Sequence, residues 1–160
     1  MTGASSGIGR GAAIELASRG SKLSLVGRNE KNLLRTKEEC LQVSGGSIED
    51  GDILLIKADL SQEQDTVRAV QETVSKFNRI DVLVNAAGII GKGTVESTPL
   101  SDYDVMMNIN LRSVFHIMSL SIPHLKSTKG TIVNVSSVTG LRAVSYHCLS
   151  YQCLSYHLLV

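Results

Sequence analysis

The stretch TGASSGIG, residues 2–9, places Gly3, Gly7 and Gly9 ahead of a segment with helical character. Residues without a Cβ let a bound group come against the backbone. The N-terminus of the following helix adds free N–H groups and the positive end of its dipole. This is chemistry for an anion, above all the pyrophosphate of a dinucleotide, with Ser5, Ser6 and Ile8 in the same turn. The spacing is G-x-x-x-G-x-G, so it matches neither G-x-G-x-x-G nor the G-x-x-x-x-G-K-[ST] phosphate loop. A tight turn whose glycines serve packing alone is the competing reading.

Such a turn works only if elements on either side position it. Residues 22–27, 53–58, 80–85 and 130–136 are short, apolar and rich in β-branched side chains, as strands buried on both faces are. Helical patterns lie between them. Residues 8–19 put Ile8, Ala12 and Leu16 on one face, with Gly20 as the stop. A second helix spans about 29–43. A third opens at SQEQ, where Ser61 and Gln64 have capping-box spacing, and carries a stripe of Val67, Val70, Val74 and Phe77. A long helix over about 101–126 holds Leu111, Val114, Phe115 and Met118, and Pro123 should bend its last turns. Alternation of this kind implies right-handed crossovers and a parallel sheet covered on both sides. The apolar strand that should feed the glycine turn is almost wholly absent, since Met1 stands directly before it.

Four further stretches join the glycine turn: ADL with Asp59 and Leu60, NAAG from Asn85 through Ala86 and Ala87 to Gly88, NIN with Asn110, and GTIVNVSS with Ser137. In this order and at these intervals the chain resembles the classical short-chain dehydrogenases/reductases, in particular the 3-oxoacyl-ACP-reductase-like members, from Thr2 to about Ala143. The resemblance implies a Rossmann-type doubly wound α/β fold with strand order 3-2-1-4-5, truncated at both ends. It also implies hydride transfer between a nicotinamide and a carbonyl or secondary alcohol. Gly3, Gly7 and Gly9 would then take the pyrophosphate, Asp59 the adenine, and Asn85 to Gly88 the inner wall of the cofactor site. Ser137 would hold the substrate oxygen and Asn110 would order a water. Steroids, sugars, acyl thioesters and simple ketones all remain open as substrates. Relatives commonly assemble through the helices after the fourth and fifth strands, so a homo-oligomer is expected of a longer form.

Cofactor choice follows from charge. An NAD-selective site carries an acid roughly 20 residues past the glycines. Here Gly27 and then Arg28 stand at that place, so nothing repels a 2′-phosphate and Arg28 can pair with one. Ser5 can add a hydroxyl contact. NADP(H) is expected in preference to NAD(H), with Arg28 as a mere loop residue as the alternative.

The same resemblance calls for a Tyr-x-x-x-Lys motif, whose lysine lowers the tyrosine pKa toward neutrality. Tyr151 is the nearest candidate, but Ser155 stands four residues on and no lysine follows Lys129. The segment SYHCLSYQCLSYHLLV instead repeats a pentapeptide, a period that fits neither helix nor strand. We read residues 1–143 as a partial dinucleotide domain and 144–160 as sequence from outside the family; a genuine diverged tail replacing the catalytic helix is the alternative. Without the lysine this form is expected to be inactive, and a non-enzymatic dinucleotide-binding or regulatory module is the second reading. A net charge of +1 from scattered residues gives no argument for nucleic acid or an anionic membrane. The three cysteines and four histidines lack metal-site spacing, and no leader or long apolar run is present, so a cytoplasmic protein without metal is expected.

Overall fold

The structure is a computed structural model that describes residues 1–91 and 93–137. Four strands form, β1 (Leu23–Gly27), β2 (Ile53–Lys57), β3 (Val82–Asn85) and β4 (Thr131–Asn134). Each lies within a stretch where apolar patterning demands one. The helices are α1 (Gly7–Ser18), α2 (Glu30–Val43), α3 (Glu63–Phe77), α4 (Leu100–Met107) and α5 (Ser113–Thr128). Local chemistry sets their ends. Asn29 caps α2 by accepting from the Asn32 N–H at 3.0 Å. Gly20, at φ +78°, closes α1 with an N–H bond to the Ala17 carbonyl at 2.9 Å.

Among the described residues, the pairings of β1 with β2, of β3 with β4 and of Thr2 with its two partners are all parallel. β1 pairs with β2 from Leu23↔Ile53 to Gly27↔Lys57, and β3 with β4 from Val82↔Thr131 to Asn85↔Asn134. Among the described residues, Thr2 is the position within the sheet that pairs with both halves, bridging Val26 on one side and Asn85 on the other. Its N–H donates to the Val84 carbonyl at 2.9 Å, and the Met1 carbonyl accepts from Val26 at 2.9 Å. Counting the Thr2 position as the first strand gives the order 3-2-1-4-5. Beside Met1, between β1 and β3, lies a cavity of about 550 Å³ whose walls include Val70, Thr73, Ile117 and Ser121.

Helices cover both faces of the sheet around β1 and β3, whereas β4, expected to be buried on both faces, is largely exposed, Val133 included. Ala13, Ala17, Leu25, Leu33 and Cys40 form the core under α1 and α2. Val70, Leu83, Ile117, Met118 and Leu125 form the one under α3 and α5. β1 serves both sides through its pleat: Leu25 faces the first core, while Val26 packs with Ala69 of α3. No helix among the described residues is long and apolar enough to cross a membrane.

Three further expectations are corrected. The buried face of α1 is Gly9, Ala13 and Ala17, whereas Ile8 is 67% exposed. A helix that packs closely turns its smallest residues inward, and apolar periodicity alone favours the larger ones. Ser61 and Gln64 form no capping box: α3 starts at Glu63 after Gln62, and Asp59 accepts the Ser61 N–H at 3.0 Å instead. The long helix is interrupted by a π-helical turn, Asn108–Arg112. The extra residue in that turn shifts the faces, so Phe115 is 64% exposed while Ile117, Met118, Ser121 and Leu125 are buried. Helix α5 continues through Pro123 to Thr128.

Candidate cofactor groove

The glycine turn is pinned from three directions. The Thr2 hydroxyl oxygen accepts from the N–H groups of Ala86 and Ala87, each at 3.2 Å. The Ala4 N–H donates to the Val26 carbonyl at 3.1 Å. The buried Thr36 of α2 donates its hydroxyl to the Ala4 carbonyl at 3.0 Å.

Within that frame the glycines divide. Gly3 sits at φ +69°, and a Cβ there would stand 2.6 Å from the Ala86 carbonyl oxygen. A Cβ at Gly9 would overlap the Gly3 carbonyl. Packing alone accounts for those two. Gly7, at φ +53°, opens α1, and a Cβ there would meet nothing within 4 Å. Ser6 precedes it as the N-cap with no side-chain cap bond, so the first-turn N–H groups of α1 are left for solvent or a ligand. That open end, with its dipole, fits a pyrophosphate.

A groove of about 260 Å³ runs from this turn. Gly3, Ser5, Ser6, Gly7 and Ile8 line one part of it, and Arg28, Asp59 and Leu60 another. Ala86, Ala87 and Gly88 form the far wall. Arg28 is exposed and, unlike Arg10, Arg35 and Arg68, has no ion pair among the described residues. Ser5 stands beside it: its Oγ lies 3.1 Å from where a Gly27 Cβ would be. This part of the groove thus offers a guanidinium and a hydroxyl at the end of β1, and Asp59 is the one carboxylate among the lining residues.

The Asp59 loop is fixed by α3 and by the end of β1. The Asp59 N–H donates to Asp65 Oδ2 at 2.7 Å, and Ala58 bonds the Gly27 carbonyl at 3.0 Å. The Arg68 guanidinium holds the Asp65 carboxyl below its usual range, helped by the Asp59 N–H.

The remaining predicted residues take other places. Asn85 is buried and donates to Asn134 Oδ1 across β3 and β4 at 2.9 Å, so it braces the sheet; its own Oδ1 has no partner among the described residues. Asn110, 4% exposed, lies in the π-helical turn and clamps Ile89, accepting its N–H and donating to its carbonyl, both at 2.8 Å. A Cβ on Gly88 would stand 3.3 Å from Asn110 Oδ1. Ser137 is half-buried, three residues past β4 and not among the residues lining the groove. Tyr151 and the pentapeptide repeat lie outside the described residues.

Sequence reasoning missed Thr2, Thr36, Asp65, Ile89 and Asn108. Only Asp65 carried a signal, its i,i+3 spacing to Arg68, and that points to an ion pair rather than to the loop it holds. Thr2 and Thr36 act across the fold on backbone groups that no local pattern identifies.

Residues 1–153 match the protein family described as short chain dehydrogenase. Among curated proteins, the chain is 39% identical over 145 residues to 11-beta-hydroxysteroid dehydrogenase-like 4A of Arabidopsis thaliana, covering 90% of this chain and 47% of that protein. A short-chain dehydrogenase/reductase of unknown function from Caenorhabditis elegans, solved with cofactor, superposes with a TM-score of 0.86 at 30% identity, over 96% of this chain and 58% of that one. An alcohol dehydrogenase from the archaeon Thermococcus sibiricus, complexed with 5-hydroxy-NADP, gives 0.83 at 27%, over 92% and 60%. The chain thus spans about half the length of the curated relatives it matches. With the glycine turn, the strand order and this match in agreement, the chain belongs to the short-chain dehydrogenase family of NAD(P)-dependent oxidoreductases.

Proposed function

We propose that residues 1–143 are the cofactor-binding part of an NADP(H)-dependent oxidoreductase that interconverts a carbonyl and a secondary alcohol, acting in the cytoplasm. The observation that carries this reading is the groove itself. An open helix N-terminus at Gly7 stands at one part of it, and Arg28, without an ion pair among the described residues, stands beside Ser5 at another, with Asp59 the one acid in the lining. Arg28 and Ser5 take the 2′-phosphate, the α1 N–H groups the pyrophosphate, Asp59 the adenine, and Ala86 to Gly88 the inner wall. The relative solved with 5-hydroxy-NADP supports the cofactor choice. When bound, the nicotinamide carries the hydride. This chain's own residues orient the reacting carbon: Ser137 donates to the substrate oxygen, and Asn110 holds Ile89 and with it the wall beyond Gly88. The exposed Leu111 and Phe115 give the π-helical turn and α5 an apolar surface on which a longer form assembles.

Titration of the chain with NADPH and NADH, followed by nicotinamide fluorescence, tests the cofactor. NADPH should bind about tenfold more tightly, a difference near 1.4 kcal/mol, and Arg28→Ala should abolish the preference. Equal affinities in the unaltered chain overturn the assignment.

A second reading has its own observation: no lysine follows Lys129, and Ser155 stands where the motif around Tyr151 needs one. An unassisted phenol near pKa ~10 leaves only about one molecule in a thousand ionised at pH 7. On that reading residues 144–160 replace the catalytic segment, and the chain is a dinucleotide-binding module. NADPH binding with no reduction of any ketone favours the module. Ketone reduction that falls on Ser137→Ala favours the enzyme.

A further inference from the structure

The Asp59 loop is held by side chains that do not line the groove, and they come from two different elements. From α3, Asp65 accepts the Asp59 N–H at 2.7 Å. Arg68 keeps that carboxylate in place through a 2.8 Å bond to its other oxygen, and donates a 2.7 Å bond to the Lys57 carbonyl at the loop's start. From the π-helical turn, Asn108 donates its Nδ2 to the Ser61 carbonyl at 3.1 Å. Arg112 donates to the Asn108 Oδ1 at 3.5 Å while also reaching Glu63 of α3 at 3.3 Å. The loop is therefore tethered at both ends, and an arginine takes part at each.

Two residues further along the same π-helical turn, Asn110 clamps Ile89, on the opposite wall. One turn of helix thus carries the supports for both sides of the groove.

We infer that Asn108 and Asp65 are positioning residues for the adenine end of the groove, setting where Asp59 and Leu60 stand without touching the cofactor. The inference rests on the dinucleotide reading. Asn108→Asp keeps the side-chain shape and removes the donor; Asp65→Ala removes the acceptor. Two measurements on the 160-residue chain separate the outcomes. Amide exchange over residues 58–62 of the free protein reads the loop directly, with residues 82–85 of β3 as the internal reference. Binding of 2′,5′-ADP, which carries the adenine end, is compared with binding of nicotinamide mononucleotide, which does not.

Each variant should speed exchange in the loop and leave β3 unchanged. Each should weaken 2′,5′-ADP by about 5- to 10-fold, the effect of one lost hydrogen bond, and leave the mononucleotide unaffected. Loop exchange or 2′,5′-ADP affinity equal to the unaltered chain overturns the inference. So does an equal loss for both probes, which marks general loosening. Asn108→Ala repeats the test should the aspartate variant melt early. If the unaltered chain binds neither probe, the dinucleotide reading itself falls, and this inference with it.

Discussion

Gly3 is a residue whose replacement the fold tolerates poorly. Its φ of +69° and the nearby Ala86 carbonyl leave no room for a methyl group, since either the turn or the end of β3 would have to move. Gly3→Ala should lower stability by about 2–4 kcal/mol, combining positive-φ strain with overpacking, and a urea melt reads it. Gly7→Ala meets only the φ penalty of about 1 kcal/mol and should act mainly on ligand binding. The glycine pattern was legible as a phosphate turn, but the separate task of each glycine was not. That division depends on Ala86, far along the chain. Asn110 shows the same limit: its type and place were readable, while its bidentate hold on Ile89 depends on the path of the loop after Gly88.

Among the elements, α1 separates what periodicity can and cannot say. The pattern gave the helix and its stop at Gly20, yet the face that packs is the row of small residues Gly9, Ala13 and Ala17. Thermal melts distinguish the two faces. Ile8→Lys should change stability by less than about 0.5 kcal/mol, whereas Ala13→Leu should cost about 1–3 kcal/mol by overpacking. The π-helical turn at Asn108–Arg112 was not legible, because the sequence on either side keeps ordinary helical spacing. Strand positions were readable within a residue or two, since each strand is a short apolar run bounded by polar or turn residues.

At the scale of the whole molecule, residues 1 and 2 are built into the core of the sheet. The Met1 amine is buried and donates to the Ser24 carbonyl at 2.8 Å, and burial pushes its pKa down from 8.0 to about 6. Between those values the unfolded chain carries a proton that the folded one does not. Where Met1 carries a free amine, stability therefore rises with pH from about 6 to 8, is flat above, and below 6 keeps the full penalty of a buried ammonium. For a chain with a free Met1 amine the rise should be on the order of 2–3 kcal/mol, and Nα-acetylation should remove it from a series of melts. The single-residue strand at Thr2 stands where the sequence calls for a strand feeding the glycine turn, whereas its partners Val26 and Asn85, far along the chain, were not legible. It has a mechanical consequence. Within the sheet, β1–β2 and β3–β4 are two boards joined by one peg, and the groove crosses the same joint, with Arg28 on one board and Ala86 to Gly88 on the other. A molecule seated across it is a second fastener, loaded in shear whenever the boards slide, so the joint stiffens while each board keeps its own compliance.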